Sequence, residues 1–372
     1  MKVLLCTPYG INPKVVQGGI TIWAHNIVDY YQTLDSGVEL VVVPFDRKIQ
    51  KTTGSSLLSR AWGGITDYRN AVKNTRRRLV EARYDVLHLC TSASISLMKD
   101  LVVLKMAKKR GIKTVVHFHF GRIPELALQQ KWEWKLLCRV IRLADVAITM
   151  DMKSFNTLRD SGFNHIHYLP NPLSLGIMQQ IRQEAGNVNR ENRKICFVGH
   201  VIPAKGVYEM VEACNNIDDI ELKVVGKVTD GVRQKMALLA GEKLNLEFIG
   251  EVDHARLIHE LLSTGVFVLP SYTEGFPNVI LESMACGCSI VTTLVGAIPE
   301  MLDIASDEPC GLCCEPKDVE GLRRNIQYFL DQPDAARQYA KRAVTRVNEL
   351  YAVEKVWEML VKIWNENDRF EK

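Results

Sequence analysis

Short apolar runs alternate along the chain with longer stretches whose apolar residues recur at helical spacing. Lys2 to Cys6, Val38 to Val43, Val86 to Leu89 and Lys113 to Phe118 are continuous enough to predict buried strands. Ile20 to Tyr31, Ile65 to Ala82, Lys99 to Lys109 and Leu126 to Leu143 predict the helices between and after them. Val146 to Thr149 and His167 to Leu169 add two strands, and Leu169-Pro170-Asn171-Pro172 punctuates the end of this series. A polar stretch, Gln179 to Arg193, leads into a second series. Its strands are Lys194 to Gly199, Glu221 to Val225, Leu246 to Ile249, Val266 to Leu269 and Ser289 to Thr293. Such alternation predicts an α/β chain of two doubly wound, Rossmann-like domains, 1–172 and 193–350. Ligands of such domains meet the carboxyl ends of the strands, here in an expected cleft between the two.

Composition changes this picture little. With 372 residues, 47% apolar and 24% charged, two domains of ordinary size are expected. No apolar run reaches the roughly 18 residues that span a bilayer, and Lys2 to Cys6 is too short for a signal-peptide core. The expected location is the cytoplasm, where the ten cysteines would be reduced thiols. Cys286-Gly287-Cys288 and Cys310-Gly311-Leu312-Cys313-Cys314 are the clusters to weigh as zinc ligands, but cysteine in apolar strands and turns behaves as a small hydrophobe. No metal site is expected.

The most informative segment is Ser271-Tyr272-Thr273-Glu274-Gly275-Phe276-Pro277-Asn278-Val279-Ile280-Leu281-Glu282, fed directly by an apolar strand. Pro277 suits the first position of a helix, because its fixed φ matches and its missing N–H would be unpaired there. The helix is expected to run to about Cys286 and stop at Gly287. Glu274 then sits on a strand-to-helix loop, and free amides at the helix start can receive phosphate oxygens. A glycosidase acid/base pair is the competing reading of Glu274 and Glu282. Helical rise separates their backbones by on the order of 10–15 Å, whereas glycosidase carboxyls flank one bond at roughly 5–9.5 Å. Two ends of an elongated ligand fit the spacing better.

With that loop, helix and pair of glutamates eight positions apart, the chain resembles the retaining GT-B glycosyltransferases of family 4, also called group 1, of the kind that builds bacterial surface polysaccharides. Val295-Gly296-Ala297-Ile298-Pro299-Glu300-Met301 is similar to that family's next loop, and Gly311 to Cys314 to its short apolar strand. The resemblance implies that Glu274 contacts the transferred sugar. The backbone of Gly275, Phe276, Pro277, Asn278 and Val279 then holds sugar and pyrophosphate, and Glu282 binds the ribose. Gly199-His200-Val201-Ile202-Pro203-Ala204-Lys205-Gly206 matches the family's phosphate loop at Lys205 but carries His200 where arginine is usual. Histidine is mostly neutral at pH 7, so its anchoring differs from a bidentate cation's. Gly250 to Val252 is expected against the base. Gln17-Gly18-Gly19-Ile20 matches the first-domain glycine loop, and His119 matches a strand-end histidine near the transferred sugar. Arg122 is a candidate for an anionic acceptor. His117 is read as a core histidine, and His88-Leu89-Cys90 resembles a His-x-His segment with cysteine second. The last helix, Val356 to Trp364 within 356–372, is expected to pack back on the first domain.

Charge divides unevenly. Residues 1–170 carry 25 Lys+Arg against 13 Asp+Glu, and the remainder 22 against 30. Arg69, Lys73, Arg76, Arg77 and Arg78 back a helix whose apolar face is Ile65, Tyr68, Val72 and Leu79. Lys105, Lys108, Lys109 and Arg110 add charge on another, and Lys131-Trp132-Glu133-Trp134-Lys135 mixes aromatics with cations. This composition is expected to dock the first domain peripherally on an anionic membrane, beside a lipid-linked or glycan acceptor. Nucleic-acid binding is not expected, since no recognised module accompanies the charge.

The Gly-x-Gly-x-x-Gly spacing of dinucleotide-binding dehydrogenases is missing. So is Asp-x-Asp, so the leaving diphosphate is expected to rely on Lys205, His200 and helix-start amides with neither metal nor cofactor. The expectation is a glycosyltransferase that uses a nucleoside-diphosphate sugar. A nucleotide-sugar 2-epimerase of the same fold and a non-catalytic nucleotide-sugar-binding subunit are the alternatives.

Overall fold

The computed structural model describes residues 1–10, 18–45, 57–92 and 94–366, with side chains of the third stretch from residue 66 onward. Two compact units result. The first joins Met1–Pro172 to the segment from Val356, and the second is Leu173–Lys355.

In the first unit the elements are β1 (Lys2–Thr7), α1 (Gly19–Gln32), β2 (Glu39–Pro44), α2 (Leu57–Glu81), β3 (Val86–Thr91) and α3 (Ser96–Lys108). Then come β4 (Lys113–Phe118), α4 (Ile123–Gln129), α5 (Trp132–Leu143), β5 (Val146–Thr149), α6 (Met152–Asp160) and β6 (Ile166–Tyr168). The second unit begins with α7 (Leu175–Glu184), β7 (Glu191–Val198), α8 (Val207–Asn215), β8 (Glu221–Val225), α9 (Asp230–Ala240) and β9 (Asn245–Gly250). It continues through α10 (His254–Ser263), β10 (Thr264–Leu269), α11 (Asn278–Ala285), β11 (Ser289–Thr293), α12 (Ile298–Met301) and β12 (Leu312–Cys314). The helices α13 (Val319–Asp331), α14 (Pro333–Arg346) and α15 (Val353–Asn365) follow.

Each sheet has six strands, ordered β2-β1-β3-β4-β5-β6 and β12-β11-β10-β7-β8-β9, and every pairing is parallel. β3, β5, β10 and β11 are buried at every position, as strands covered on both faces must be. Right-handed crossovers put α2, α3 and α5 on one face of the first sheet. That face holds a continuous core including Leu79, Leu97, Leu104, Leu137 and Ile141.

The opposite face carries an aromatic and imidazole layer. His88 and Cys90 on β3 share this face with His117 on β4, because Cys90 pairs in register with His117. Trp23 of α1 stacks on His88, with ring centroids 5.6 Å apart. α15 closes the layer: Trp357 packs on Tyr30 and Tyr31, and Trp364 donates from Nε1 to His88 Nδ1 at 3.0 Å. Lys113 Nζ donates to the carbonyl oxygens of Ile363 at 2.8 Å and Trp364 at 3.3 Å, placing a cation at the negative end of α15.

Two expectations need correction. Leu126 to Leu143 is not one helix: Gln130 adopts φ 51°, its N–H closes α4 on Leu126 O, and the chain restarts at α5. Of the polar stretch from Gln179, the part to Glu184 is the end of α7, whose start Ser174 caps by accepting from Ile177 N at 3.2 Å. Pro277 precedes α11 as its N-cap, with ψ 110°, so the helix starts one residue later, at Asn278. The stop at Gly287 holds. Its φ is +69°, and Cys288 N returns to Ser283 O at 3.0 Å.

Trp364→Ala should cost about 3–5 kcal/mol of unfolding free energy, since it opens a cavity and strips His88 of its donor. Chemical denaturation measures this; a loss below ~1 kcal/mol would show that α15 is dispensable to the layer.

Candidate active site

In the second unit, β10 and β11 end side by side and the loop Ser271–Pro277 leaves the edge they form. Thr293 Oγ1 donates to Ser271 O at 2.5 Å, and Tyr272 N donates to Ala204 O at 3.0 Å. Two glycines let neighbouring backbone come close. A Cβ at Gly206 (φ +67°) would lie 2.0 Å from Pro270 O, and one at Gly296 (φ +58°) would lie 2.4 Å from Glu274 O. Ala297 N completes the clamp by donating to Gly275 O at 2.8 Å.

Glu274 is therefore held in place. Its Oε1 accepts from Lys205 Nζ at 2.5 Å and from Ser271 Oγ at 2.6 Å. The Glu274 side chain is 10% exposed and that of Lys205 26%, so both remain reachable from solvent. Gly275, Pro277, Asn278 and Val279 are half-buried where the chain enters α11, whose first amides have no intrahelical acceptor. Asn278 Oδ1 is buried without a partner, while Phe276 turns inward and packs edge-on against Tyr351. Glu282 is 8% exposed, and burial raises its pKa against the opposing pull of nearby His254. No side chain or amide among the described residues hydrogen-bonds its carboxylate. Val252 is half-buried on the loop between β9 and α10, and His200 is exposed.

In the first unit, Gly18 is the N-cap of α1, and a Cβ at Gly18 or Gly19 would meet nothing within 4 Å among the described residues. Internal packing thus does not demand glycine there. Gln17 lies outside the described residues. One turn into α1, Trp23 packs edge-on against His119, with centroids 5.0 Å apart, which brings the glycine turn and the strand-end histidine together. His119 retains some exposure, but its Nε2 is sealed without a partner. Burial pulls the pKa of His88 and of His119 down to about 3 and that of His117 well below its usual value, so all three rings are neutral. Arg122 caps α4 and reaches Glu133 at 3.3 Å.

One group of metal-ligating side chains converges among the described residues: His88, Cys90 and His117, with ligand atoms within 4.8 Å of one another. His88 accepts from Trp364 through Nδ1 and so carries its proton on Nε2. A ligating histidine ordinarily donates through its second nitrogen. Burial also raises the Cys90 thiol's pKa, against the thiolate a metal needs. These three read as core. The clusters around Cys286 and Cys310 do not converge with other ligands, and all ten cysteines are free thiols.

Sequence reasoning gave no role to Ser271, Glu209, Trp23 or Glu133. Ser271 was visible as the hydroxyl three residues before Glu274. Glu209, which accepts from the Tyr272 hydroxyl, leaves no local signal.

Two family models match in tandem, Glycosyltransferase Family 4 over residues 17–176 and Glycosyl transferases group 1 over residues 178–346. The chain belongs to the family 4, group 1 glycosyltransferases. An uncharacterized glycosyltransferase of Haemophilus influenzae is 23% identical over 298 residues, 78% of this chain and 79% of that one. A putative teichuronic acid biosynthesis glycosyltransferase of Bacillus subtilis is 25% identical over 232 residues, 60% and 57% of the two chains. Among solved structures, Anabaena HepE in complex with UDP superposes with a TM-score of 0.67 at 16% identity, over 97% of this chain and 99% of that one. The fold is GT-B and the protein is a glycosyltransferase, so neither the epimerase nor the inert-subunit alternative is favoured.

The buried imidazoles set an acid limit. Their folded pKa values lie below those of the unfolded chain, so the unfolded state binds more protons between about pH 6.5 and 3. Their contribution to stability is complete above that window and is lost as pH falls through it. NMR should show the His88, His117 and His119 ring resonances unshifted from about pH 8 to 5; a midpoint near 6.5 for any of them would overturn its burial. Gly296→Ala should lower the thermal midpoint by several degrees, whereas Gly18→Ala should leave it unchanged.

Proposed function

We propose that this glycosyltransferase moves a sugar from a nucleoside diphosphate to a hydroxyl acceptor with retention of anomeric configuration. The carrying observation is the 2.5 Å contact between Lys205 Nζ and Glu274 Oε1 beside the start of α11. A cation suited to diphosphate and an acid suited to sugar hydroxyls stand next to each other, as those groups do in a nucleotide sugar. The donor would part the pair: diphosphate takes Lys205 and the amides of Asn278 and Val279, and the sugar takes Glu274. Glu282, buried and lacking a donor, suits ribose hydroxyls, with Val252 against the base. The UDP complex of HepE supports a nucleotide in a fold of this kind.

In this reading the acceptor hydroxyl approaches on the face the diphosphate leaves. The bond from the anomeric carbon to the phosphate oxygen breaks, the glycosidic bond forms, and the departing phosphate oxygen takes the hydroxyl proton. Glu274 favours positive charge at the anomeric carbon. His119, neutral, brings no charge to the sugar. Arg122, with most of its side chain exposed, is available to an anionic acceptor. Lys205 and the helix-start amides handle the leaving charge, so no divalent metal is required; His200, exposed on the same loop as Lys205, adds an N–H donor. A lipid-linked glycan in surface-polysaccharide synthesis is the acceptor class proposed, in keeping with the teichuronic acid relative.

Glu274→Ala should reduce transfer by roughly 10²–10³-fold, measured as nucleoside diphosphate release, while the thermal midpoint stays within a few degrees. Undiminished turnover would falsify its role. A UDP-sugar should raise the melting temperature more than GDP- or ADP-sugars do. EDTA should leave the rate unchanged; loss of turnover restored by Mg²⁺ or Mn²⁺ would refute metal independence.

A further inference from the structure

Tyr272 is contacted from three sides, although the proposed transfer gives it no role. Its backbone N–H donates to Ala204 O at 3.0 Å, and its hydroxyl donates to Glu209 Oε1. The Lys317 ammonium lies 5.0 Å from the centroid of its ring. These partners sit on the turn after β7, on α8 and on the turn after β12. One half-buried side chain thus joins three segments at the carboxyl edge of the sheet. Lys317 holds φ 71° there, a left-handed conformation that glycine adopts at less cost. The supports are rigid: α8 buries Val207, Met210, Val211 and Cys214 and packs on α13, whose start Asp318 caps by accepting from Gly321 N at 2.9 Å. Burial and the Glu209 carboxylate raise the Tyr272 pKa to about 12, so its hydroxyl stays a donor at neutral pH. Glu209 Oε2 is sealed without a hydrogen-bond partner among the described residues, which leaves the Tyr272 hydroxyl to fix this carboxylate.

Glu209 lies four residues beyond Lys205, across the first turn of α8, and Glu274 lies two residues beyond Tyr272. A small closed circuit results: Lys205 meets Glu274 on one side, and Tyr272 meets Glu209 on the other. A donor that takes Lys205 and Glu274 for itself opens the first side. We propose that the Tyr272–Glu209 bond is the tether that then keeps the Glu274 loop in register with the Lys205 turn, which makes both of them positioning residues for transfer. The tether fixes the spacing between the cation on the diphosphate and the acid on the sugar while the anomeric bond breaks. A misplacement of about 1 Å at that stage costs on the order of 10²-fold in rate. In the free protein its loss matters less, because the Lys205–Glu274 pair and the Gly206 and Gly296 contacts still hold the loop. The inference rests on the transferase reading for its purpose, but the bond is also testable without substrate, so tether and transfer can fail separately.

Tyr272→Phe keeps the ring and removes only the hydroxyl. Nucleoside diphosphate release should lose about tenfold in kcat, with the donor KM within about threefold and the thermal midpoint within a few degrees. Glu209→Ala should lose as much, whereas Glu209→Gln, which keeps an acceptor oxygen, should retain most of the rate. Tyr272→Phe combined with Glu209→Ala should be no slower than either alone. Without substrate, Lys205→Ala opens the same side of the circuit that the donor opens. Adding Tyr272→Phe to it should speed hydrogen exchange about tenfold at the position-272 and Ala297 amides, which are bonded to Ala204 O and Gly275 O. A wild-type chain that turns over no nucleotide sugar yet shows this exchange difference would sink the transferase reading and uphold the tether. Unchanged exchange overturns the tether. So do additive losses in the double variant, equal losses in Glu209→Gln and Glu209→Ala, or a raised KM with kcat untouched.

Discussion

The site depends on close backbone contact around a single loop. The turn at Gly206 presses on Pro270 at the base of the loop and the turn at Gly296 presses on Glu274 and Gly275 within it, at distances that admit no side-chain carbon. Because the carbonyl of Glu274 is itself one of the pressed atoms, the carboxylate cannot drift far from Lys205. The loop is positioned before any ligand arrives, which lowers the ordering cost of binding. Parallel strands ending at one edge make this possible: β7 delivers the Lys205 turn, β10 the Glu274 loop and β11 the Gly296 turn.

The Lys205–Glu274 pair also bears on energetics. The Glu274 side chain is only 10% exposed, so separating the pair would leave a mostly buried carboxylate unless a ligand replaces the lost partner. Glu282 presents a different case. Its carboxylate is mostly buried and lacks a protein donor, and burial raises its pKa. In the first unit, the sealed nitrogens of His117 are a comparable cost without a role in the proposed transfer.

Local information was readable in the sequence and distant information was not. Strand positions, the glutamate spacing, the Lys205-Gly206 turn and the Gly287 stop depend on neighbours a few residues apart, and each stands within three residues of its expected place. The break at Gln130 escaped notice because a non-glycine residue takes a left-handed conformation there, and nothing about glutamine announces it. Trp364 and His88 are 276 positions apart, so their bond leaves no periodic trace. Burial of the three imidazoles was hidden for the same reason. His117 looked like core from its strand alone, but the neutrality of His119 follows from Trp23 and the layer around it.

The discontinuity of the first unit has a consequence for biosynthesis. Its sheet is encoded before residue 172, yet the helix that roofs the imidazole layer emerges from the ribosome only after the entire second unit. Until then Trp23, His88 and the Tyr30–Tyr31 ledge lack their cover, leaving a greasy, partly polar ledge that a holdase chaperone could shelter. Nascent chains stalled short of Val356 would carry that ledge uncovered.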